Sequence, residues 1–545
     1  MKILSHNPGH DGAVAFIQDA RLMMSVEAEK DSNVRHSSIS IADVFGSLGE
    51  LDEIPDIVCT SGWWARDHFD YLHGSDVRAG YRGVARSGII VREQRLFGKQ
   101  VQYFSSSHER SHILCAFGMS SLAKGTPCYA LVWEGFIGAF YEIDPQLNIV
   151  LVGEVLSSPG NRYGRLYGLA DPSFPKDGPF PRASDPGKLM ALASFGNRSK
   201  PTAQEKKLIK FLLEEPFQPL SAYREIELAP HFNVGPEDPE FCNFASIYSD
   251  AIFDKFQQFA KANLKKNKPL LIAGGCGLNC DWNSKWRDSG LFSDVFVPPV
   301  ANDSGSAIGT AIDAQFHFTG DPKINWNVYS GLDFAMQPFD SGQYDVYEAD
   351  CILVADLLAN DLILGWVNEK YEIGPRALGN RSILAAPFHD GTRIRLNEIK
   401  QREQFRPIAP VCLEEDAARW FACNQASPFM LYTYRAITDA LAAVTHVNGT
   451  ARLQTVSRET NRNLYELLLA FKARTGFGVL CNTSLNFNGR GFINSLKDLS
   501  AYAIDHKLDG FVVGGRAYLL RGSDRYRAYA SGLNPLRGTS QLSRR

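Results

Sequence analysis

With 545 residues, of which 44% are hydrophobic and 21% charged, the chain is too long for one core and ordinary enough in composition for two or three globular domains. A formal charge of -3, with basic residues dispersed along the chain, gives no electrostatic footprint for nucleic acid or an anionic membrane surface. The opening MKILSHNPGHDG has no apolar h-region, no later stretch holds the roughly 18 uninterrupted apolar residues of a membrane helix, and the ten cysteines form no paired zinc motif around Cys276 and Cys280; a cytoplasmic protein with reduced thiols is expected.

Residues 2 to 29 predict a three-strand meander: KILS, a turn NPGHDG, AVAFIQ, a tight connection and RLMMSVEAE. Further on, HERSH at 108 to 112 places His108 and His112 one helical turn apart on the same face, within reach of one metal ion. The string also reads H-E-x-x-H, the zinc peptidase pattern with Glu109 as base. On a helix, however, Glu109 points about 100° away from His108, and a peptidase finds no further support in the chain.

The meander recurs at 128 to 156 as CYALVWE, GAFYEID and IVLVGEVL, and an acid followed by glycine closes the first strand of each copy: Asp11-Gly12 and Glu134-Gly135. This duplication predicts an α/β fold of the actin/hexokinase-like ATPase type, with nucleotide and metal between two related halves. Two strand, Gly-rich turn and helix units follow, KPLLIAGGCGLNCDWNSKW and DVFVPPVANDSGSAIGTAIDAQF. Small residues at such turns let backbone N–H groups approach an anion, so Gly274, Gly275, Gly277, Asn279, Ser304 and Gly305 are expected at the nucleotide phosphates. Asp303 opens the second helix. Together His108, His112, Glu134 and Asp303 make a mixed N/O donor set suited to Fe²⁺, Mn²⁺ or Zn²⁺ rather than to Mg²⁺ alone.

Apolar periodicity fades between 325 and 345, which predicts a first domain over 1 to 335, a second α/β domain over 345 to 525 opening with CILVADLLANDLILGWV, and a loose polar tail over 526 to 545.

The landmarks HDGAVA, HERSH, GKLMALASFG, AGGCGLNC, PPVANDSGSAIG, GPRALGNRSIL, REQFRPIAP and LCNTSLNFNG, in that order, resemble the O-carbamoyltransferases of antibiotic and nodulation-factor biosynthesis. The opening is most similar to the branch that carbamoylates the hydroxymethyl group of cephem antibiotics. The resemblance implies a carboxy-terminal YrdC-like domain that makes carbamoyl adenylate from carbamoyl phosphate and ATP, and an amino-terminal domain that passes the carbamoyl group to a hydroxylated small-molecule acceptor. It implies Fe²⁺ ahead of Mn²⁺ as the metal, with ATP and Mg²⁺ as co-substrate, and a catalytic His10 beside Asp11. It also brings Lys188, in the GKLM turn, toward phosphate or acceptor. Two departures stand out: Glu134 replaces the family's usual Asp, and Glu369-Lys370 replaces its Gly-Arg.

The chemistry of the second domain agrees with that reading. Carbamoyl phosphate is a small dianion that calls for fixed cationic donors, and Arg376, Arg381, Arg402 and Arg406 cluster in sequence with Lys400 and Lys370. Asn482, Ser484 and Asn486 alternate after FGVL and can orient a carbamoyl amide. Two other functions compete: a metabolite kinase read from the amino-terminal half, and a silent ATP-binding regulator.

Overall fold

In the computed structural model, residues 1–64, 77–223, 226–487 and 490–532 are described, and none of their helices is long and apolar enough to cross a membrane. The chain divides into two compact units, Met1–Met23 with His36–Trp326, and Met24–Arg35 with Asn327 onward. The segment 24–35, which the sequence assigned to the first domain, therefore packs with the second.

The first unit holds two sheets built to one plan. Strands β1 (Lys2–Asn7), β2 (Ala13–Gln18) and β3 (Arg21–Glu27) form the predicted first meander, and β4 (Ile57–Ser61), β5 (Ile90–Leu96) and β6 (Lys99–Ser106) extend it in the order β3-β2-β1-β4-β6-β5. Strands β7 (Cys128–Trp133), β8 (Gly138–Ile143) and β9 (Ile149–Glu154) form the second meander, extended by β10 (Leu270–Ala273) and β11 (Val295–Phe296) in the order β11-β10-β7-β8-β9. In both sheets the first meander strand pairs antiparallel with the second and parallel with a later strand. Each parallel part ends by feeding a helix, His108–Met119 after β6 and Gly305–Thr319 after β11.

These two helices pack against each other, and their sequences explain how closely. All twelve residues of His108–Met119 are buried, so the helix is core on every side and has no solvent face. Ser107 caps it by accepting the Arg110 N–H at 3.1 Å. A side chain at Gly309 would collide with the Ser111 carbonyl, so glycine there permits the contact. Thr310 Oγ1 meets the hydroxyls of both Ser111 and Ser61 at 2.7 Å, and Arg110 forks onto Asp313 at 2.7 and 2.8 Å. This polar seam is buried and hydrogen-bonded, which fixes the helical register that a purely apolar contact would leave adjustable.

The second unit is built on an eight-stranded mixed sheet. Its strands are β12 (Tyr344–Glu348), β13 (Leu364–Val367), β14 (Arg381–Ala385), β15 (Ala409–Leu413), β18 (Gln454–Val456), β19 (Val479–Ser484), β20 (Gly510–Val513) and β21 (Arg516–Leu520), while β16 (Tyr434–Arg435) and β17 (Thr450–Ala451) form a separate ribbon. Leu353 and Leu357 of one helix and Leu464, Leu467 and Phe471 of another cover one face; Leu396, Ile399, Leu496 and Tyr502 belong to the core on the other. The expected tail needs correction. Residues 524–532 form a helix with Tyr526 buried and the Tyr529 hydroxyl donating to Asp356 at 2.8 Å; only 533–545 lie outside the described residues.

Candidate functional site

The first turn of the second meander and the starts of the two paired helices bring the predicted metal set together: donor atoms of His108, His112, Glu134 and Asp303, all buried, lie within 4.8 Å of one another. His112 Nε2 is 3.1 Å from His108 Nε2 and 3.3 Å from Asp303 Oδ1. Two imidazole nitrogens facing one point beside a carboxylate are poorly satisfied by hydrogen bonds among themselves, and Asp303 Oδ2 has no hydrogen-bond partner among the described residues. A cation accepted by all four groups resolves both problems, so the donor set fits a divalent transition metal.

The electrostatics agree. Burial pushes the His108 pKa down to about 3, which keeps the ring neutral as a ligand must be. Burial and the Asp303 charge raise that of Glu134. For Asp303 burial opposes ionisation, but the rings of His108, His10 and His112 outweigh it and hold the carboxyl below its ordinary range. Glu134 Oε1 accepts the Ile137 N–H at 3.0 Å, and Oε2 accepts the Tyr81 hydroxyl at 2.7 Å, so the longer side chain is held at the cluster.

His10 is 56% exposed and lies beside the cluster, its Nε2 3.3 Å from Asp303 Oδ2 and its Nδ1 3.5 Å from Asp11 Oδ2. Asp11, in the left-handed region at φ 49°, also accepts from His36 Nδ1 at 2.6 Å. Desolvation works against a charged His10, but Asp303, Asp11 and Glu134 overcome it and raise its pKa. Glu109, by contrast, accepts from the Tyr141 hydroxyl and from Gly83 N–H, away from the donor set. HERSH thus supplies its histidines to the cluster and its glutamate to the packing of β8 and a loop.

The residues expected at phosphates divide. Gly274, at φ 95°, turns against Glu134, where a side chain would crowd its Cβ, and Gly275 is open to solvent. Ser304 and Gly305 follow Asp303 at the helix start, the Ser304 hydroxyl donating to Asn302 Oδ1 at 3.0 Å. Gly277 instead packs on Ala301, and Asn279 spends its side chain capping a helix through the Asp281 and Trp282 N–H groups, both at 3.2 Å. Lys188 stands 5.8 Å over the Tyr167 ring on the helix Asp185–Ala193.

In the second unit, the predicted cations gather where β14 and β15 begin and β19 ends. Burial, with Arg406 and Arg452 nearby, lowers the Arg402 pKa to about 9; burial, Arg402 and Arg35 lower that of Lys400. Cations that depress one another in this way make a candidate anion site. Their individual tasks differ from expectation. Lys400 Nζ is engaged by the Ser484 carbonyl at 2.7 Å and by Asn486 through its carbonyl and Oδ1 at 2.9 and 2.5 Å, so it braces the loop after β19. Arg381 donates to the carbonyls of Asn368, Glu369 and Asn380 and to Asn494 Oδ1, which makes it a brace as well. Arg402 Nε holds Asn397, while Arg376 and Lys370 are half-buried in the loop before β14. Asn482 keeps a buried Oδ1 with no hydrogen-bond partner among the described residues, its Nδ2 donating to Gln454 Oε1 at 2.8 Å.

Sequence reasoning missed the clamp that supports this loop. Lys30, buried, donates to Glu27 Oε1 at 2.8 Å and to the carbonyls of Glu372 and Gly374 at 2.6 and 2.7 Å; Glu27 Oε1 also accepts the Gly374 N–H at 2.6 Å. Glu372 in turn accepts the N–H groups of Leu378, Asn380 and Arg381. A buried Lys three residues after a Glu on an early helix was the available signal.

The family models for the carbamoyltransferase N-terminus and C-terminus match residues 238–312 and 355–519. The chain is 46% identical to a 3'-hydroxymethylcephem-O-carbamoyltransferase of Amycolatopsis lactamdurans, over 95% of this chain and 99% of the relative, and 34% identical to nodulation protein U of Rhizobium fredii, over 89% and 90%. It belongs to the carbamoyltransferase family and is a carbamoyl-transferring enzyme. Among solved structures, full-length HypF in its phosphate- and nucleotide-bound form is 11% identical and matches 59% of this chain and 56% of its own with a TM-score of 0.30, too loose a superposition to carry an argument.

Proposed function

We propose that the enzyme carbamoylates the hydroxyl of a small natural product, and that the acceptor is the hydroxymethyl group of a cephem, as the names of its relatives state for them. The fold of the first unit is read as actin-like from its duplicated sheet plan, and the second unit as YrdC-like.

In the second unit, carbamoyl phosphate is hydrolysed to phosphate and carbamate. A carbamate oxygen then displaces pyrophosphate from the α-phosphorus of ATP, giving carbamoyl adenylate. Arg376, Arg402, Arg406 and Arg452 neutralise the phosphates, and Asn482 Oδ1 accepts from the carbamoyl NH₂ group. In the first unit, the acceptor oxygen attacks the carbamoyl carbon, the bond from that carbon to the AMP oxygen breaks, and His10 takes the hydroxyl proton. His108, His112, Glu134 and Asp303 would hold a divalent metal, Fe²⁺ or Mn²⁺, which would supply positive charge for a phosphate group. A cation held by Asp303 and Glu134 would offset part of the negative charge that raises the His10 pKa and so would favour the neutral ring, the form that accepts a proton. Ser304 and Gly275 offer backbone N–H groups to the nucleotide, while those of Gly274 and Gly305 are taken up by the carbonyls of Ala301 and Asn302 at 2.7 and 3.0 Å.

The crowding of partly buried arginines around the buried Lys400 in the second unit is the observation that carries this reading, because a kinase working from the first unit alone has no use for it. The test is product analysis with ATP, carbamoyl phosphate and Fe²⁺ or Mn²⁺. Carbamoyl phosphate-dependent AMP and pyrophosphate are expected, and a 3-hydroxymethyl cephem is expected to gain a carbamate. ADP as the only nucleotide product would transfer the assignment to a kinase; bound but unconverted ATP would leave a silent regulator.

A further inference from the structure

The metal cluster is continuous with a run of aromatic rings that leads to the surface of the first unit. Tyr81, buried, is sandwiched: one face stacks on the metal-site ring of His108 with centroids 4.4 Å apart and 17° between planes, the other on Trp64 at 4.2 Å and 14°. The Tyr81 hydroxyl is the group that donates to Glu134. Trp63 stands edge-on to His10, Tyr81 and His108 at 5.4, 5.4 and 5.0 Å, and Gly9 makes room for it, since a side chain there would strike the indole. Outward, Phe136 meets Trp64 at 5.6 Å and Phe180 at 5.5 Å. Exposure is nil at His108, 37% at Trp64 and 50% at Phe180, with Phe136 partly buried between the last two.

A packing cluster shields its large rings; this one leaves Trp64 and Phe180 open and connects Trp64 through Tyr81 and Trp63 to His10, itself exposed. Rings stacked in order also cost little conformational entropy on binding, since each is already fixed by its neighbour. Resting on the function proposed above, we infer that Trp64, Phe136 and Phe180 form the acceptor subsite, which receives the unsaturated ring of the acceptor while its hydroxymethyl arm reaches His10. The stack fixes Trp64 relative to His108, so ring and hydroxyl are positioned by one rigid unit. Acceptor choice is then set by π-surface recognition, and compounds presenting only an aliphatic hydroxyl lose that contact.

The experiment uses the full chain with carbamoyl phosphate, ATP, metal and a 3-hydroxymethyl cephem. Trp64→Ala is expected to raise the acceptor KM about tenfold or more, with the KM for carbamoyl phosphate within about twofold of wild type; Trp64→Phe is expected to recover most of the loss and Phe180→Ala to show a smaller rise. A folded Trp64→Ala enzyme with an unchanged acceptor KM would overturn the inference, as would equal increases in both KM values. If the alanine variant does not fold, Phe180→Ala decides by the same ratio, since that ring is half exposed and its loss leaves the stack in place. Wild type that makes AMP and pyrophosphate from carbamoyl phosphate but never carbamoylates the cephem removes the acceptor assignment, and the subsite falls with it. Wild type that makes neither removes the proposed function itself.

Discussion

The two units handle buried charge in opposite ways. In the first, histidines and carboxylates converge, and Asp303 is stabilised as an anion by the rings around it, His10 included. In the second, Arg402 and Arg35 press on the buried Lys400, and Arg406 and Arg452 press on Arg402, so the surplus is positive even with Glu403 and Glu29 each 3.9 Å from Arg406 and Arg35. A buried cluster biased to one sign is costly on its own and is retained when a ligand of the other sign completes it. The comparison therefore predicts a cation for one unit and an anion for the other from charge alone.

The largest expected effect comes from removing the anion at the centre of the first cluster. Asp303→Asn keeps the size but removes a charge that a bound metal would share with Glu134. Metal content of the purified protein is expected to fall to about a tenth or less, and carbamoyl transfer to fall about a thousandfold. AMP formation dependent on carbamoyl phosphate, measured without acceptor, is expected to suffer far less, because it belongs to the other unit. Equal loss of both activities would break the division on which the comparison rests.

A middle-sized effect sharpens the second half of the comparison. Arg452→Gln removes one of the cations that press on Arg402. The KM for carbamoyl phosphate is expected to rise about tenfold, while thermal stability in phosphate-free buffer holds or rises by a few degrees as repulsion is relieved. Added inorganic phosphate is expected to raise the Tm of wild type more than that of the variant, by linkage. A fall in Tm with unchanged affinity would mean that these charges support the fold and do not await a ligand.

Much of the first cluster was legible because its members sit at positions that local rules mark. The acid-glycine pair after β7 flagged Glu134, as the matching pair before β2 flagged Asp11 beside the cluster; helical spacing paired His108 with His112, and a strand followed by small residues flagged Asp303. What escaped was long-range. Nothing local says that Tyr81 lies between His108 and Trp64, that Asn279 is consumed as a helix cap, or that Lys400 and Arg381 hold loops rather than face a ligand. Residue type gives an arginine or lysine its charge, but only the neighbouring carbonyls decide where its protons go. The Lys30 clamp was hidden for the same reason, since its partners Glu372 and Gly374 lie more than three hundred residues away.

The smallest expected effect falls on the residue whose sequence context looks most catalytic. Glu109 stands inside H-E-x-x-H, where a peptidase would place its general base, yet its two oxygens accept from Tyr141 and Gly83. Glu109→Gln preserves the side chain's shape and an acceptor for the Gly83 N–H, and the Tyr141 hydroxyl can reverse to accept from the new amide. Stability is expected to drop by about 1–2 kcal/mol, the range for altering a buried charged hydrogen bond, with metal content unchanged and carbamoyl transfer within about threefold of wild type. Loss of transfer comparable to that of Asp303→Asn, with the metal still bound, would place Glu109 in the reaction after all. The two substitutions together thus separate the motif from the site: the donor set is defined by which atoms converge in space, and the glutamate between the histidines converges elsewhere.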